Sequence, residues 1–217
     1  MNYANLLVRH TSMALGQRRV PLLTMKVFTT FCRRMILLVR PLDAPIPDHR
    51  PRLPVVIKML TDEDLPAYSR FQPKQAASLI QTRLTRGEQC FTAWHEGRIA
   101  HAARVATERV YISYLHHDLV LQPGDVYSHS SFTLPAYRGY GLSLARTVYA
   151  MHHYRQAGYR RMVVLVTVEN TTGLHVVKQE LGYQDVGLYG CLRFGPWQYS
   201  WQRMWGDEPL PMLTKAE

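Results

Sequence analysis

Cysteine is scarce in this chain of 217 residues, which has three: Cys32, Cys90 and Cys191. They are scattered and form no C-x-x-C pair, so the sequence predicts neither a disulfide framework nor a zinc site. Three free thiols, buried or half-buried, in a reducing compartment are expected instead. The adjacent histidines at 116–117 and 152–153 lack the i, i+4 spacing with which a helix holds a metal ion. We therefore expect no bound metal.

Long apolar runs are also missing. No stretch reaches the roughly 18 uninterrupted apolar residues of a membrane-spanning helix, and basic residues interrupt the segment where a secretory signal needs an apolar core. Internal repeats and low-complexity tracts are absent. Because 47% of the residues are hydrophobic and 11% are aromatic, the composition is that of a folded protein. We expect a cytoplasmic location, with attachment to a membrane periphery as the alternative.

Acidic residues are absent before Asp43. Residues 1–54 hold nine Lys and Arg but only two Asp, which gives a net charge of +7 out of +10 for the whole chain. We interpret residues 1–54 as a basic N-terminal extension and linker, with a helix opening at Pro21 and five prolines over residues 41–54. Residues 35–39 fit either that helical pattern or a strand. A basic arm attracts nucleic acid, anionic lipid or acidic protein, and its charge alone does not choose among them.

From residue 55 onward, hydrophobic patterns and turn residues predict alternating strands and helices. The predicted strands are residues 55–59, 89–94, 98–107, 126–134, 162–168, 186–194 and 197–204. The predicted helices begin at the cap over 61–64 and continue at 75–84, 142–157 and 171–181. Residues 110–121 are ambiguous. This order indicates an α/β protein with a layered sheet of mixed direction, in which the passage 126–168 joins parallel strands.

Residues 134–143, with the sequence LPAYRGYGLS, lie between a predicted strand and a predicted helix. Gly139 and Gly141 have no Cβ, so their N–H groups can approach an anion closely. The helix that follows adds unpaired N–H groups and the positive end of its dipole. This strand–turn–helix is typical of a phosphate site. It lacks the Gly-Lys-Ser/Thr of a Walker A loop and the third glycine of a Rossmann fingerprint.

Residues 138–143, RGYGLS, resemble the R-x-x-G-x-[GA] signature of the GCN5-related N-acetyltransferases (GNAT), with Ser143 where Gly or Ala is commoner. Three further segments resemble the same family: the strand that ends at Pro135, the stretch VTVEN that ends at Asn170, and LGYQDVG at 181–187. The resemblance covers residues 55–205. It implies a GNAT-like, mostly antiparallel central sheet flanked by helices, with splayed strands four and five.

The resemblance therefore implies three regions. Residues 1–54 are the extension, residues 55–205 are the acyltransferase domain, and residues 206–217 are a loose C-terminal tail.

The resemblance further implies an N-acyltransferase that moves an acyl group, acetyl in the first instance, from a CoA thioester to an amine by direct attack. Acetyl-CoA or another acyl-CoA is the implied co-substrate. The residues expected to contact it are Phe132, Thr133, Leu134, Arg138, Gly139, Tyr140, Gly141, Leu142, Ser143 and Asn170. Two alternatives stay open. One is long-chain acyl transfer from acyl-CoA or acyl carrier protein to an amino acid or natural product, and the other is an inactive GNAT-like binding module.

The acceptor amine must lose a proton, and a base that titrates near neutrality serves this step. His129 is the first candidate, since an imidazole has a suitable intrinsic pKa and alternation along the fourth strand places it on one face with Tyr127 and Ser131. Glu108 and His117, on the preceding strand or loop, are further candidates.

The leaving thiolate also needs a proton or a hydrogen bond. Many family members have a tyrosine for this purpose in the helix after the fifth strand, and Lys178 stands at that position here. The general acid is therefore unassigned. Tyr183 occupies an aromatic position that the family uses for packing.

The implied partner is a small-molecule or peptide amine. The basic N-terminus also suits an acyl carrier protein or an anionic membrane surface, and a homodimer is left open. No nucleic-acid-binding motif is present, so no nucleic acid is expected. Loops around residues 71–74, 111–124 and 188–197 are the expected source of the acceptor pocket.

Overall fold

The computed structural model describes residues 32–73, 87–206 and 209–215. Its strands are β1 (Cys32–Pro41), β2 (Val56–Met59), β3 (Gln89–His95), β4 (Arg98–Ala106), β5 (Arg109–Ile112), β6 (His117–Val120), β7 (Asp125–Thr133), β8 (Arg161–Thr167), β9 (Gln184–Phe194), β10 (Trp197–Met204) and β11 (Met212–Lys215). The α-helices are α1 (Leu65–Phe71), α2 (Leu142–Gln156) and α3 (Thr171–His175), and α3 continues as a π-helical turn over Val176–Glu180.

Eight of these strands form one mixed sheet in the order β10-β9-β1-β8-β7-β4-β3-β2. Only β7 and β8 pair in parallel within it, and every other neighbouring pair is antiparallel. A second sheet, β11-β6-β5, has three strands. The prediction of a mixed, mostly antiparallel sheet flanked by helices is confirmed. The helix predicted at 75–84 lies outside the described residues.

The interpretation of residues 1–54 as an extension is wrong for β1, which is an interior strand of the large sheet between β8 and β9. The run Met-Ile-Leu-Leu-Val at 35–39 is buried or half-buried, with Leu37 and Leu38 completely so. A strand covered on both faces needs apolar residues at every position, which removes the alternation that identifies a half-exposed strand. The described part of the sheet therefore includes Cys32–Pro41, and the helix predicted from Pro21 falls on residues that the structure does not describe.

Both faces of the large sheet are covered. On one face α2 packs through Val148, Met151 and Tyr154 against the strands, with Leu174 of α3 beside it. On the other face the three-stranded sheet packs over β1, β8 and β9, and its buried core residues are Val110, Ile112, Leu115 and Leu119.

The ambiguous stretch 110–121 is thus a hairpin in this small sheet. The tail was predicted to be loose, but Met212–Lys215 pairs with β6, so that prediction is wrong for these residues.

Strands β7 and β8 pair only at their beginnings, where Asp125 to Tyr127 face Arg161 to Val163. Beyond these residues β7 continues to Thr133 and β8 to Thr167, but the two strands no longer pair with each other. We call the gap between them the β7–β8 cleft. A bulge contributes to the separation: Ser130 has a φ of 51°, and the register of β7 against β4 shifts there. The splay that the resemblance implied for strands four and five is confirmed.

The remaining expectations concern membranes, thiols and metals. No described helix is long and apolar enough to cross a bilayer. Cys32, Cys90 and Cys191 are buried and free, as predicted. Within the described ranges no three His, Cys, Asp or Glu side chains are grouped as metal ligands.

Candidate active site

The glycine loop lies at the open end of the β7–β8 cleft. Pro135–Tyr137 forms a short 3-10 turn, and Gly139 and Gly141 then adopt left-handed φ values of 82° and 77°. Gly141 is the N-cap residue of α2, whose first turn carries no acidic side chain. The first N–H groups of this 15-residue helix have no partner within the helix. The loop therefore presents main-chain donors and a positive helix end where the sequence predicted a phosphate site.

A second segment covers this loop, a contact that the sequence patterns did not predict. The chain between β1 and β2, residues 42–55, begins with a hydrogen bond from the Leu42 N–H to the Arg160 carbonyl and crosses to the glycine loop. There the Arg52 N–H donates to the Tyr140 carbonyl at 2.9 Å. His49 Nε2 is buried and has no hydrogen-bond partner in the described chain, and it lies 2.6 Å from where a Cβ on Gly141 would stand. We call residues 42–55 the crossing segment.

The crossing segment brings cations to the loop. Arg50 and Arg52 are exposed there, and Arg138 is exposed on the loop itself, with its Nε–H donating to the Thr133 carbonyl at 3.4 Å. These arginines belong to the two segments that meet at the start of α2, where His49 lies against Gly141. These positions suit an anionic ligand such as a pyrophosphate.

The β7 side of the cleft is lined by small hydroxyl residues. Tyr127 is the last residue of β7 that pairs with β8, and after it come Ser128, Ser130 and Ser131. The Ser131 hydroxyl lies 3.4 Å from that of Ser143 at the start of α2. No described strand pairs with the β8-facing edge of β7 beyond Tyr127. An extended ligand could thus pair with this edge as an added strand would.

The other edge of β7 pairs with β4 on both sides of the bulge. Phe132 and Thr133 pair with Ala102 and His101, and the Leu134 N–H donates to the Ala100 carbonyl at 3.0 Å. His101 is completely buried, and its Nδ1 shares a hydrogen bond of 2.8 Å with the Thr133 hydroxyl. Burial, aided by the nearby Arg146 cation, lowers the pKa of His101 to about 3. This imidazole is therefore neutral and fixes the strand that the donor is predicted to follow.

A cluster of polar side chains lies on the face of the sheet opposite α2. His129 stacks on Tyr127, with ring centroids 5.2 Å apart and planes within 2°. Its Nε2 lies 3.7 Å from Glu88 Oε2, and Arg104 Nε lies 3.9 Å from the same oxygen. Arg104 also donates to the Ser130 hydroxyl at 2.7 Å. The carboxylate of Glu88 thus sits between an imidazole and a guanidinium beside the bulge.

Glu88 was not among the predicted site residues. It precedes β3, and no local motif distinguishes it from other surface acids. The position of Glu88 beside His129 follows only from strand register, because Cys90 pairs with Arg104 and Arg104 pairs with His129. Sequence alone does not give that register.

The predicted alternation of Tyr127, His129 and Ser131 on one face is wrong for Ser131. The bulge at Ser130 inserts an extra residue, so the side chain of Ser131 points to Ser143 on the α2 side while His129 stays with Tyr127.

The structure does not bring Glu108 and His117 together with His129. Glu108 is exposed in the turn after β4, beyond the paired end of the cleft. His117 is buried, and its Nδ1–H donates to the Leu115 carbonyl at 2.8 Å. It lines a separate cavity of about 660 Å³ between β10 and the small sheet, together with Gln198, Ser200 and Lys215. Only His129 of the three predicted catalytic residues borders the cleft.

The residues after β8 have structural roles in the described chain. The Asn170 side-chain oxygen accepts the Gly173 N–H at 2.9 Å and caps α3. Lys178, at the position expected to bear the general acid, is ion-paired with Asp185 at 2.8 Å. Tyr183 is buried in the core beneath α2, and burial raises the pKa of its phenol.

No protein-family model and no curated protein sequence matches this chain. Solved structures do match. A putative GNAT-family acetyltransferase from Novosphingobium aromaticivorans aligns with a TM-score of 0.50 at 19% identity, over 73% of this chain and 63% of that one. A GCN5-related glucosamine N-acetyltransferase region in a fungal multi-domain GH3 β-N-acetylglucosaminidase aligns with a TM-score of 0.53 at 15% identity, over 86% and 23%.

This chain spans less than two thirds of the length of the first structures it matches. At such low identity the likeness establishes the architecture alone. The fold is that of the GCN5-related N-acetyltransferases.

Proposed function

We propose that this chain is an N-acyltransferase that moves an acyl group from a CoA thioester to an amine by direct attack. The observation that carries the proposal is the β7–β8 cleft, which has an unpaired strand edge along one side and a left-handed glycine loop at its open end. An elongated ligand with an anionic end fits that combination.

The donor would lie along β7. Its pyrophosphate would take the N–H groups of residues 139–143 and the charge of Arg138, with His49 and Arg52 closing over it. Its pantetheine arm is an extended chain with two amides, so it can pair with the free edge of β7. From Thr133 to Ser128 this edge is about 16 Å long, at about 3.3 Å per residue. Asn170, on the turn after β8, would border the arm on its other side.

The thioester would then lie near the bulge at Ser130. Main-chain N–H groups on the β8-facing edge of β7 would hold the oxyanion that forms on the carbonyl during attack. The amine would approach from the face of His129, which would accept its proton, and Glu88 would orient the imidazole and stabilise it once charged. The products are an amide and the CoA thiol.

The acceptor is proposed to be the amine of a small molecule or peptide, and the transferred group is proposed to be acetyl. The protein itself is proposed to be cytoplasmic. A longer acyl chain, with acyl carrier protein as its donor, is the alternative that the experiment below separates. The acyltransferase domain would include β1, since this strand lies between β8 and β9 in its sheet.

Donor binding tests the proposal directly. Thermal unfolding is followed with acetyl-CoA, longer acyl-CoAs, free CoA and an acyl carrier protein, because a ligand that binds only the folded state raises Tm. We expect a clear shift with acetyl-CoA, a weaker one in Arg138→Glu, and no change in Arg155→Glu, whose arginine is exposed at the far end of α2. Thiol release in the presence of an amine panel then measures turnover. Absence of any shift with all four ligands would overturn the proposal.

A further inference from the structure

Arg146 is a buried cation without a counter-ion. It lies in the second turn of α2 and is 2% exposed. Its Nη1–H donates to the Ser128 hydroxyl at 3.1 Å, and its Nε has no partner in the described chain. The titratable groups that act on it are Tyr183, Cys90 and Tyr154, and none of the described carboxylates forms an ion pair with it. Such an arrangement is costly, because an isolated charge loses its hydration on burial.

This guanidinium remains charged at neutral pH. Burial lowers the pKa of Arg146, but only to about 10. The phenols of Tyr154 and Tyr183 and the thiol of Cys90 have raised pKa values, chiefly through burial, so they stay protonated and do not neutralise it. His101 is neutral, because burial and the charge of Arg146 both lower its pKa. A positive charge thus stands alone among neutral groups.

Its position is the closed end of the β7–β8 cleft. Ser128, its hydrogen-bond partner, is the first residue after Tyr127, where pairing with β8 stops. On the opposite side of the cleft Val164 and Val166 of β8 are apolar and pack into the same core as α2. The glycine loop lies at the other end of the cleft, so a donor held there by its phosphates would bring its sulfur toward Arg146.

No described side chain at the position that the resemblance implied for a general acid is available to the leaving group. Lys178 stands where the family resemblance implied a proton donor, and it is held at the surface by Asp185. On departure a thiolate carries a full negative charge into a cleft whose β8 side is lined by Val164 and Val166.

We propose that Arg146 stabilises the departing CoA thiolate. This inference rests on the proposed acyl transfer from CoA. The amine nitrogen bonds to the thioester carbon, the carbon–sulfur bond breaks, and its electron pair stays on sulfur as thiolate. His129 takes the proton of the amine. Arg146 keeps all its protons and holds the thiolate by charge and hydrogen bonding, and the thiolate later gains a proton from solvent.

The decisive measurement is the pKa of the CoA thiol in the complex. The ultraviolet absorbance of the thiolate is followed as pH rises, and the complex with desulfo-CoA provides the reference that removes the tyrosine signal. In the wild type we expect this pKa to lie about 1 to 3 below that of free CoA, as for a group beside an opposite charge. In Arg146→Met it should return to the value of free CoA or rise above it. Arg146→Lys should restore part of the shift, and Arg155→Met on the same helix should leave it unchanged.

Turnover provides the second measurement. In Arg146→Met we expect kcat to fall about 10- to 100-fold with little change in the KM for acetyl-CoA. Many proteins still fold when a buried charge is replaced by an apolar side chain of similar length. The pKa of the CoA thiol in the wild-type complex tests the role of Arg146 without any variant. A wild-type enzyme that binds CoA with an unshifted thiol pKa overturns the role of Arg146 alone. A wild-type chain that binds neither CoA nor any acyl-CoA overturns the proposed function and this inference with it.

Discussion

The imidazole of His49 lies directly over the α-carbon of Gly141, with its Nε2 2.6 Å from where a Cβ would stand. The two residues are far apart in sequence, and their contact joins the crossing segment to the N-terminus of α2. A glycine is thus required at 141 for two reasons, the left-handed φ of 77° and the space that His49 fills.

The first prediction separates these two reasons. Gly141→Ala should weaken acetyl-CoA binding at least 10-fold, because the added methyl displaces His49 and deforms the loop. It should also lower the free energy of unfolding by about 1 to 2 kcal/mol through backbone strain. Calorimetric titration and urea unfolding measure the two effects.

Gly158→Ala is the matched control. Gly158 follows α2, has a φ of 83°, and has no atom within 4 Å of an added Cβ. It should show the same loss of stability with unchanged donor affinity. Equal donor affinities in the two variants would mean that the loop is not the phosphate site.

The second prediction concerns proton transfer. His129→Ala should lower kcat/KM by about 10²- to 10⁴-fold, the usual contribution of a general base. Glu88→Gln should lower it by about 10-fold, because it removes the negative charge beside Nε2 and keeps the imidazole. Steady-state kinetics with the best amine acceptor measure both.

The control for that pair is His152→Ala, since His152 is exposed on α2 and away from the cleft. It should retain wild-type kinetics. Full activity in His129→Ala at every pH tested would show that the acceptor amine is deprotonated elsewhere.

The third prediction is a pH dependence of stability. Lys58 Nζ donates to Asp64 Oδ1 at 2.8 Å, and the Thr61 N–H and hydroxyl donate to Oδ2 at 3.1 Å. Burial raises the pKa of Asp64, but these hydrogen bonds outweigh burial and leave it below its ordinary value. Because the folded-state pKa is the lower one, the stabilisation is complete above about pH 4 and is lost as pH falls through the folded-state value.

Asp64→Asn should therefore cost about 1 kcal/mol in the free energy of unfolding at pH 6. The difference from wild type should shrink as pH falls below about 4. Urea unfolding at pH 6 and pH 3 measures it. Asp62→Asn, an exposed neighbour in the same turn, should show no such change, and a pH-independent difference for Asp64→Asn would contradict the assigned interactions.

The fourth prediction separates two roles of Asn170. Its side-chain oxygen caps α3 through the Gly173 N–H, so Asn170→Ala should lower the free energy of unfolding by about 1 kcal/mol, and Asn170→Asp should preserve it. We expect donor affinity to fall in both variants, because both lose the amide N–H. Titration with CoA measures the affinity, and wild-type affinity in Asn170→Asp would leave Asn170 as a cap only.

Local patterns were sufficient for much of this molecule. The strands before and after His95-Glu96-Gly97 and the helix that ends at Gly158 are bounded by turn residues that act within a few positions. The glycine loop is equally local, since its left-handed turn and its free N–H groups depend on adjacent main-chain positions.

Features that depend on distant residues were missed. β1 has no alternation because both of its faces are buried, and the arginines around it resemble a basic arm. The bulge at Ser130 carries no signature in a serine-rich stretch. Glu88 and His49 reach the site only through strand register and through a crossing of the chain, which single-sequence patterns do not encode.

The central position of β1 has a consequence for how the protein is made. This strand leaves the ribosome well before its neighbours β8 and β9, which follow about 125 and 145 residues after it. At about 5 to 20 residues per second, translation takes about 6 to 25 s to supply the first of them. Throughout that interval the run Met-Ile-Leu-Leu-Val has no partner strand, so the nascent chain must be shielded from aggregation. Any truncation before β9 leaves one edge of β1 without its partner strand.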